Sequence, residues 1–433
     1  VTTPLYIYRD LETPGIGQLA AYRAAGGYQA FEKALKTMTP VEVVETVKAS
    51  RLVGRGGAGF PTGLKWELVA REAARPKFIV ANAEEGEPGT FKDLPILTRV
   101  PHRLIEGMLI GAFAVGAEEG VIVCRGEFIE PQRILRAAIA EAEAAGLLGK
   151  NILGTDFSFK LWVYRTAGAY ICGEETSLLE ALEGKPGMPR IRPPFPVSAG
   201  LWARPTALNN VETFANVPAI ILEGAAGYAA IGSEKNSGTK GFCISGQVNK
   251  PGVYELPFGV TLRQLIYDHA GGMLDGKAFK AVFPGGASSS CLTAEHLDLP
   301  LDFHHVAQAG SMLGSAAFMV IAEGVCMVEV ALRLARFFRH ESCGKCIPCR
   351  DGTYQIVRLL ERMKRGQTTT CEIDGIVDLA SVMRQAAFCG LGQAAPNPVL
   401  SLIKHFRQEF EDHCAGKPCE LMGGGEIPYG NHH

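Results

Sequence analysis

Between Thr39 and Glu183 the chain switches repeatedly between helical and strand periodicity, and this alternation restricts its fold more than any other feature. Thr39, Pro40 and Glu42 combine a cap, a first-turn proline and a capping-box acid, so a helix is expected over 39–50. Gly54-Arg55-Gly56-Gly57-Ala58-Gly59 follows, a run that no helix contains. Helices are then expected over 62–71, 102–117, 131–145 and 174–183, with strands over 78–81, 120–125 and 160–165. Such alternation builds a multidomain α/β protein around a mostly parallel sheet, whose ligands lie beyond the carboxyl ends of the strands.

Residues 184–200 hold five prolines and read as an extended loop bordering the site. From Lys240 the texture changes to short strands over 241–248, 252–255 and 278–283 with a helix near 262–269, a small α+β unit. Amphipathic stretches at 325–338, 351–364, 374–387 and 398–413 close the chain as a helical bundle. A length of 433 residues exceeds one ordinary core, and three units are expected over 1–238, 239–322 and 323–433. A net charge of -2 supplies no field for a polyanion, which excludes nucleic acid as a partner. No apolar run reaches the roughly 18 residues of a membrane span, so direct membrane insertion is not expected. The start Val1-Thr2-Thr3-Pro4 lacks secretory character, and a cytoplasmic protein is expected.

The sharpest chemical signal is Cys343-Gly344-Lys345-Cys346-Ile347-Pro348-Cys349, with Cys389 in Phe388-Cys389-Gly390-Leu391-Gly392. Three thiolates at two-residue spacing and a remote fourth suit a 4Fe-4S cluster, whereas structural zinc sites more often pair two separate Cys-x-x-Cys knuckles. Cys371 competes for the fourth position on spacing alone; the small residues around Cys389 let backbone amides approach cluster sulfurs. Cys124, Cys172, Cys243, Cys291, Cys326, Cys414 and Cys419 read as ordinary buried or surface thiols.

Gly54, Gly56 and Gly59 satisfy G-x-G-x-x-G, but a helix precedes them, so a simple dinucleotide fingerprint fails. The loop is either a tight turn or an anion cradle to which Arg55 and Lys65 add positive charge. Asn82-Ala83-Glu84-Glu85-Gly86-Glu87 follows a strand directly; three like charges there suit hydrogen bonds to ribose and flavin groups, or form a solvated turn. Gly173-Glu174-Glu175-Thr176 opens a helix, where the acids cap it or face a ligand.

Taken together, Gly54 to Trp66, Asn82 to Asp93, Gly168 to Thr176, Asn209 to Thr213 and the cysteine set resemble the NADH-binding, FMN-containing subunit of respiratory complex I. The resemblance implies a Rossmann-like FMN-binding domain, a ubiquitin-like β-grasp domain of the soluble-ligand-binding type, and a helical bundle holding the 4Fe-4S cluster. By that likeness FMN contacts Gly54, Arg55, Gly56, Gly57, Lys65, Asn82, Glu84, Glu85, Gly173, Glu174, Asn209, Asn210 and Thr213. NAD(H) stacks on Phe60 and Phe195 and approaches Glu87, Glu175 and Arg192, with Glu87 and Glu175 as the acids nearest the chemistry. The implied reaction is hydride transfer from NADH to FMN, then single-electron transfer to the cluster and onward to quinone. Implied partners are a thioredoxin-like 2Fe-2S subunit and a larger multi-cluster ferredoxin-like subunit, in a complex peripheral to the inner face of the membrane. Related modules serve NAD-reducing hydrogenases, NAD-dependent formate dehydrogenases and bifurcating enzymes, often with fused iron-sulfur domains; finding none here favours complex I. The family usually has aspartate where Glu84 stands and arginine where Leu94 stands.

Overall fold

The computed structural model describes residues 5–417 and 419. Four parallel strands, β1 (Phe78–Ala83), β2 (Glu119–Cys124), β3 (Lys160–Arg165) and β4 (Thr206–Asn210), form a sheet in the order β3-β2-β1-β4. Alternate residues feed two cores. Ile79, Ala81 and Ile122 pack into the large interior built with helices Pro101–Val115 and Val211–Glu223, while Phe78, Val80, Val121 and Val123 meet Leu178, Leu179 and Leu182 of helix Glu175–Leu182. The chain builds β1, β2 and β3 outward in one direction and then returns to place β4 on the other side of β1. That reversal opens a crevice beyond the carboxyl ends of β1 and β4, the place where Rossmann-like sheets receive ligands.

Helix Pro40–Ala49 begins as the sequence dictates: the Thr39 hydroxyl accepts from the Glu42 N–H, and the Glu42 carboxylate accepts from the Thr39 N–H at 2.7 Å. The glycine run joins it to helix Thr62–Arg71.

A second sheet contains β5 (Thr239–Gly246), β6 (Gly252–Pro257), β7 (Phe279–Phe283) and β8 (Ala317–Ala322) in the order β6-β5-β8-β7. Its central pair is parallel and its outer pairs antiparallel, the mixed arrangement expected of a β-grasp. The helix expected over 262–269 is a π-helical turn, Gln264–His269. Helices Met327–Glu341, Ile347–Lys364, Thr370–Ala386 and Asn397–Cys414 bundle around Leu332, Phe338, Val357, Leu360, Met383 and Leu402. Of the C-terminal unit expected over 323–433, residue 418 and residues 420–433 lie outside the described residues.

Candidate functional site

Two adjoining cavities occupy the crevice, sharing walls from Gly56, Gly57, Ala58, Asn82, Gly173, Glu174 and Asn210. The larger, about 650 Å3, is lined by the glycine run, Phe60, Lys65, Glu175, Asn209 and Thr213. The proline-rich loop supplies its outer wall through Arg192, Phe195, Pro196 and Val197. The smaller, about 300 Å3, is lined by Glu84, Glu85, Glu87, Tyr170 and, from beyond the sheet, Ser288. This combined space matches that of ordinary cofactor sites, roughly 300–1,000 Å3.

The glycine run reaches the cavity because its backbone adopts conformations that side chains oppose. Gly57 has φ +139° and Gly59 φ +65°. A Cβ on Gly56 would stand 3.0 Å from Cβ of Asn210. The run is therefore a cradle pressed against the carboxyl end of β4. Phe60 and Phe195 are 43% and 54% exposed, so both leave ring surface open at the larger cavity. The Lys65 ammonium donates to the Leu208 carbonyl at 2.9 Å and lies 3.6 Å from Glu175, while Arg192 reaches Glu175 at 3.3 Å.

Arg55 departs from its expected role. Its side chain is fully buried and lines neither cavity; the guanidinium donates to the Tyr228 hydroxyl at 3.0 Å and the Ser237 carbonyl at 2.9 Å, over the Phe258 ring. Only its backbone N–H faces the cradle, donating to Thr213 Oγ1 at 2.9 Å. The side chain at position 55 thus enters the core, where Tyr228 and Ser237 hold one guanidinium nitrogen and Nε and Nη1 have no hydrogen-bond partner among the described residues.

The acids are not equivalent. Both Glu85 oxygens accept backbone N–H groups, from Asp93 at 2.9 Å and Leu94 at 3.1 Å, so Glu85 shapes the chain. Burial and the nearby Asp93 carboxylate raise its pKa. Glu84 accepts from the Thr166 hydroxyl at 2.7 Å through one oxygen, while the other is buried without a hydrogen-bond partner among the described residues. Burial pushes Glu84 up to about 7 against the opposing pull of Thr166 and Arg125. Glu87 accepts from the Ser288 N–H at 2.9 Å and from its hydroxyl, and burial pushes it too up to about 7. Glu87 thus lines the smaller cavity and Glu175 the larger, so the two stand on either side of their common wall. One oxygen of Glu174 accepts from the Thr176 and Ser177 N–H groups at 2.9 Å, which is helix capping; the other lies 3.7 Å from Arg192.

The asparagines are wall-builders. Asn82 donates to the Gly173 carbonyl and accepts from the Glu84 N–H, and Asn209 accepts from Trp66 Nε1. Asn210 donates to Asp93 at 2.7 Å and accepts from Lys92 at 3.0 Å. Sequence reasoning missed what lies behind it: Glu212 receives the ammonium groups of Lys240 at 2.6 Å and Lys92 at 3.1 Å, all three buried. Burial alone would raise Glu212, yet Lys240, Lys92 and Arg55 hold it below the usual carboxylate range. Burial and the like charge of Lys92 bring Lys240 down to about 8. The one available signal was a lone lysine in the apolar stretch 239–244.

Cys343, Cys346, Cys349 and Cys389 line one small pocket with Ile171, Pro189 and Leu391. Cys371 is exposed on helix Thr370–Ala386 and does not line it, so Cys389 is the fourth convergent thiol. The Phe388 N–H reaches Cys346 Sγ at 3.5 Å, a donor of the kind that steadies thiolates around a cluster. Ile171 and Leu391 line both this pocket and the smaller cavity, so one layer of side chains separates them.

The residues present fit the cofactors this geometry implies. A glycine cradle, two open rings and an unpartnered Glu84 oxygen suit a flavin nucleotide; four convergent thiols, one of them met by a backbone amide, suit an iron-sulfur cube. Residues 47–219 match the Nuo51 FMN-binding domain, residues 240–311 the SLBB domain, and residues 329–413 the NADH-ubiquinone oxidoreductase-F iron-sulfur binding region. The F 2 subunit of the NADH-quinone oxidoreductase of Rhizobium meliloti is 49% identical over 413 residues, covering 95% of this chain and 98% of its own length. The corresponding F subunit of Escherichia coli strain K12 is 48% identical over 395 residues, covering 91% and 89%. Among solved structures, a chain of an NAD+-reducing [NiFe]-hydrogenase in the air-oxidized state superposes with a TM-score of 0.82 at 38% identity, over 95% of this chain and 67% of that one. The chain belongs to the family of NADH-quinone oxidoreductase F subunits.

Proposed function

We propose that the chain is the electron-input subunit of a multisubunit NADH:quinone oxidoreductase. The observation that carries this reading is the shared wall of Ile171 and Leu391 between the flavin-side cavity and the four-cysteine pocket. When bound, FMN accepts a hydride from NADH and releases electrons singly, and the 4Fe-4S cluster accepts them one at a time.

The protein's own contribution is position and electrostatics. The glycine run and Thr213 receive the flavin phosphate, with Lys65 as the neighbouring cation. Asn82, Asn209, Asn210, Gly173 and Glu174 close the ring's surroundings, and Glu84 and Glu85 line the side toward the cluster. Phe60 and Phe195 sandwich the dinucleotide, and Arg192 and Glu175 orient it. Glu87, with a pKa about 7, holds or releases a proton within the smaller cavity. Cys343, Cys346, Cys349 and Cys389 ligate the cluster.

Ile347 and Phe388, exposed beside the cluster cysteines, support docking of the next carrier there. We assign that place to a thioredoxin-like 2Fe-2S subunit and a larger ferredoxin-like subunit, in a complex on the inner face of the membrane. No helix among the described residues is long and apolar enough to cross a membrane. The hydrogenase likeness supports a second reading, the diaphorase module of an NAD-reducing hydrogenase. Isolation of the complex decides: proton-pumping membrane subunits support the first, a nickel-iron subunit the second.

The purified chain reconstituted with FMN, iron and sulfide should reduce ferricyanide with NADH. Cys389→Ser should lose the cluster absorbance and Cys371→Ser keep it. A chain with the cluster but neither flavin nor turnover would make it a scaffold and end the proposal. Glu175→Gln with unchanged NADH affinity and turnover would remove the orienting role of that residue.

A further inference from the structure

Cys326, His413 and Cys419 come from separate parts of the chain and meet outside both cavities and the four-cysteine pocket. Cys326 follows β8 and stands at the start of helix Met327–Glu341. His413 is buried in the last turn of helix Asn397–Cys414, its Nε2 3.3 Å from Cys326 Sγ. The chain then doubles back. Gly416 takes φ +67°, the Lys417 N–H donates to the Asp412 carbonyl at 3.0 Å, and the Lys417 ammonium meets the Asp412 carboxylate at 2.6 Å. This reversal delivers Cys419, so the two sulfurs and an imidazole nitrogen all lie within 4.8 Å of one another.

A thiol–imidazole hydrogen bond accounts for the buried pair, but not for the arrival of an exposed cysteine beside it. Tetrahedral zinc, with bonds of about 2.3 Å to sulfur and about 2.0 Å to nitrogen, sets its ligands roughly 3.5–3.8 Å apart. We propose that Cys326, His413 and Cys419 bind one zinc ion, water filling the fourth position, and that the ion ties the C-terminal segment to the helical bundle. Binding displaces the thiol protons to solvent, and two thiolates neutralise the dication, so the half-buried site carries no net charge. No residue is shared with the Cys343, Cys346, Cys349 and Cys389 set.

The test uses the full chain with its iron-sulfur cluster in place, equilibrated with zinc chloride, freed of loose metal on a chelating resin and analysed by mass spectrometry. About one zinc and about four irons per chain are expected. Cys419→Ser, at an exposed position, and His413→Gln should each lower zinc at least about fivefold while iron stays unchanged. Zinc-edge absorption should show two sulfur neighbours at about 2.3 Å and nitrogen or oxygen at about 2.0 Å. Background zinc in the parent chain, zinc retained in both variants, or a Cys326–Cys419 disulfide in protein purified under reducing conditions would each overturn the site.

Discussion

Arg55 is the residue whose chemistry the glycine run most invites one to misread. Its neighbours face the cavity, but its guanidinium is buried against Tyr228, Ser237 and Phe258 and contributes to holding Glu212 ionised. Arg55→Ala should therefore lower stability by about 3–5 kcal/mol, since it leaves buried acceptors unpaired. Denaturant unfolding of the flavin-free chain checks this: an unchanged midpoint there, with a loss seen only after FMN is added, would return Arg55 to the phosphate. Glu84 makes a different prediction. Its carboxyl has an ordinary pKa of 4.5 and rises to about 7 in the fold, so between these values the folded chain keeps a proton that the unfolded chain releases. Its stabilising contribution is thus complete below about 4.5 and lost as pH rises through about 7. Glu84→Gln should flatten the fall in stability of the flavin-free chain between about pH 5 and pH 8 by roughly 1–3 kcal/mol, and an unaltered slope would contradict the raised pKa.

Elements carry their own constraint where the cradle meets β4. Asn210 cannot retreat from a new methyl group at position 56, because Asp93 and Lys92 hold its amide from behind. Gly56→Ala should weaken FMN retention by about tenfold or more while iron content stays the same, measured as the flavin-to-iron ratio after gel filtration; a parent-like ratio would mean the loop yields. The same contrast explains what the sequence reveals. Helix Pro40–Ala49 is legible because its start lies within one turn, in Thr39, Pro40 and Glu42, and the cluster cysteines are legible because three fall within seven residues. β4 is not legible: it has five residues and ends in two asparagines, which resemble a turn. Helix Val211–Glu223 carries Pro218 in its interior, and β8 is an apolar run equally compatible with a buried helix. Each is settled by partners distant in sequence. The same holds for the acids of the site, where burial makes Glu85 a backbone clamp and leaves Glu84 an oxygen to spare.

At the scale of the whole molecule, the parallel sheet and the β-grasp are joined through charge buried between them. Glu212 begins the helix that follows β4, and its carboxylate accepts both the Lys240 ammonium and the Gly241 N–H of β5, at 2.6 and 2.9 Å. The same carboxylate meets Lys92, which reaches Asn210 at the cavity wall, so the second sheet is linked to the cradle through three side chains. Replacing Glu212 with Gln strands the buried Lys240 ammonium, while Lys92 keeps the Asp93 carboxylate at 2.9 Å, and should cost about 3–5 kcal/mol, whereas Lys240→Met added to that variant should restore part of the loss. If the link acts between sheets, hydrogen exchange in Glu212→Gln should rise together in β5 and in helix Val211–Glu223, with flavin retention falling in step. Faster exchange confined to the helix, with β5 protected as before, would mean that the second sheet holds its place through apolar packing alone and that Glu212 serves only its own helix.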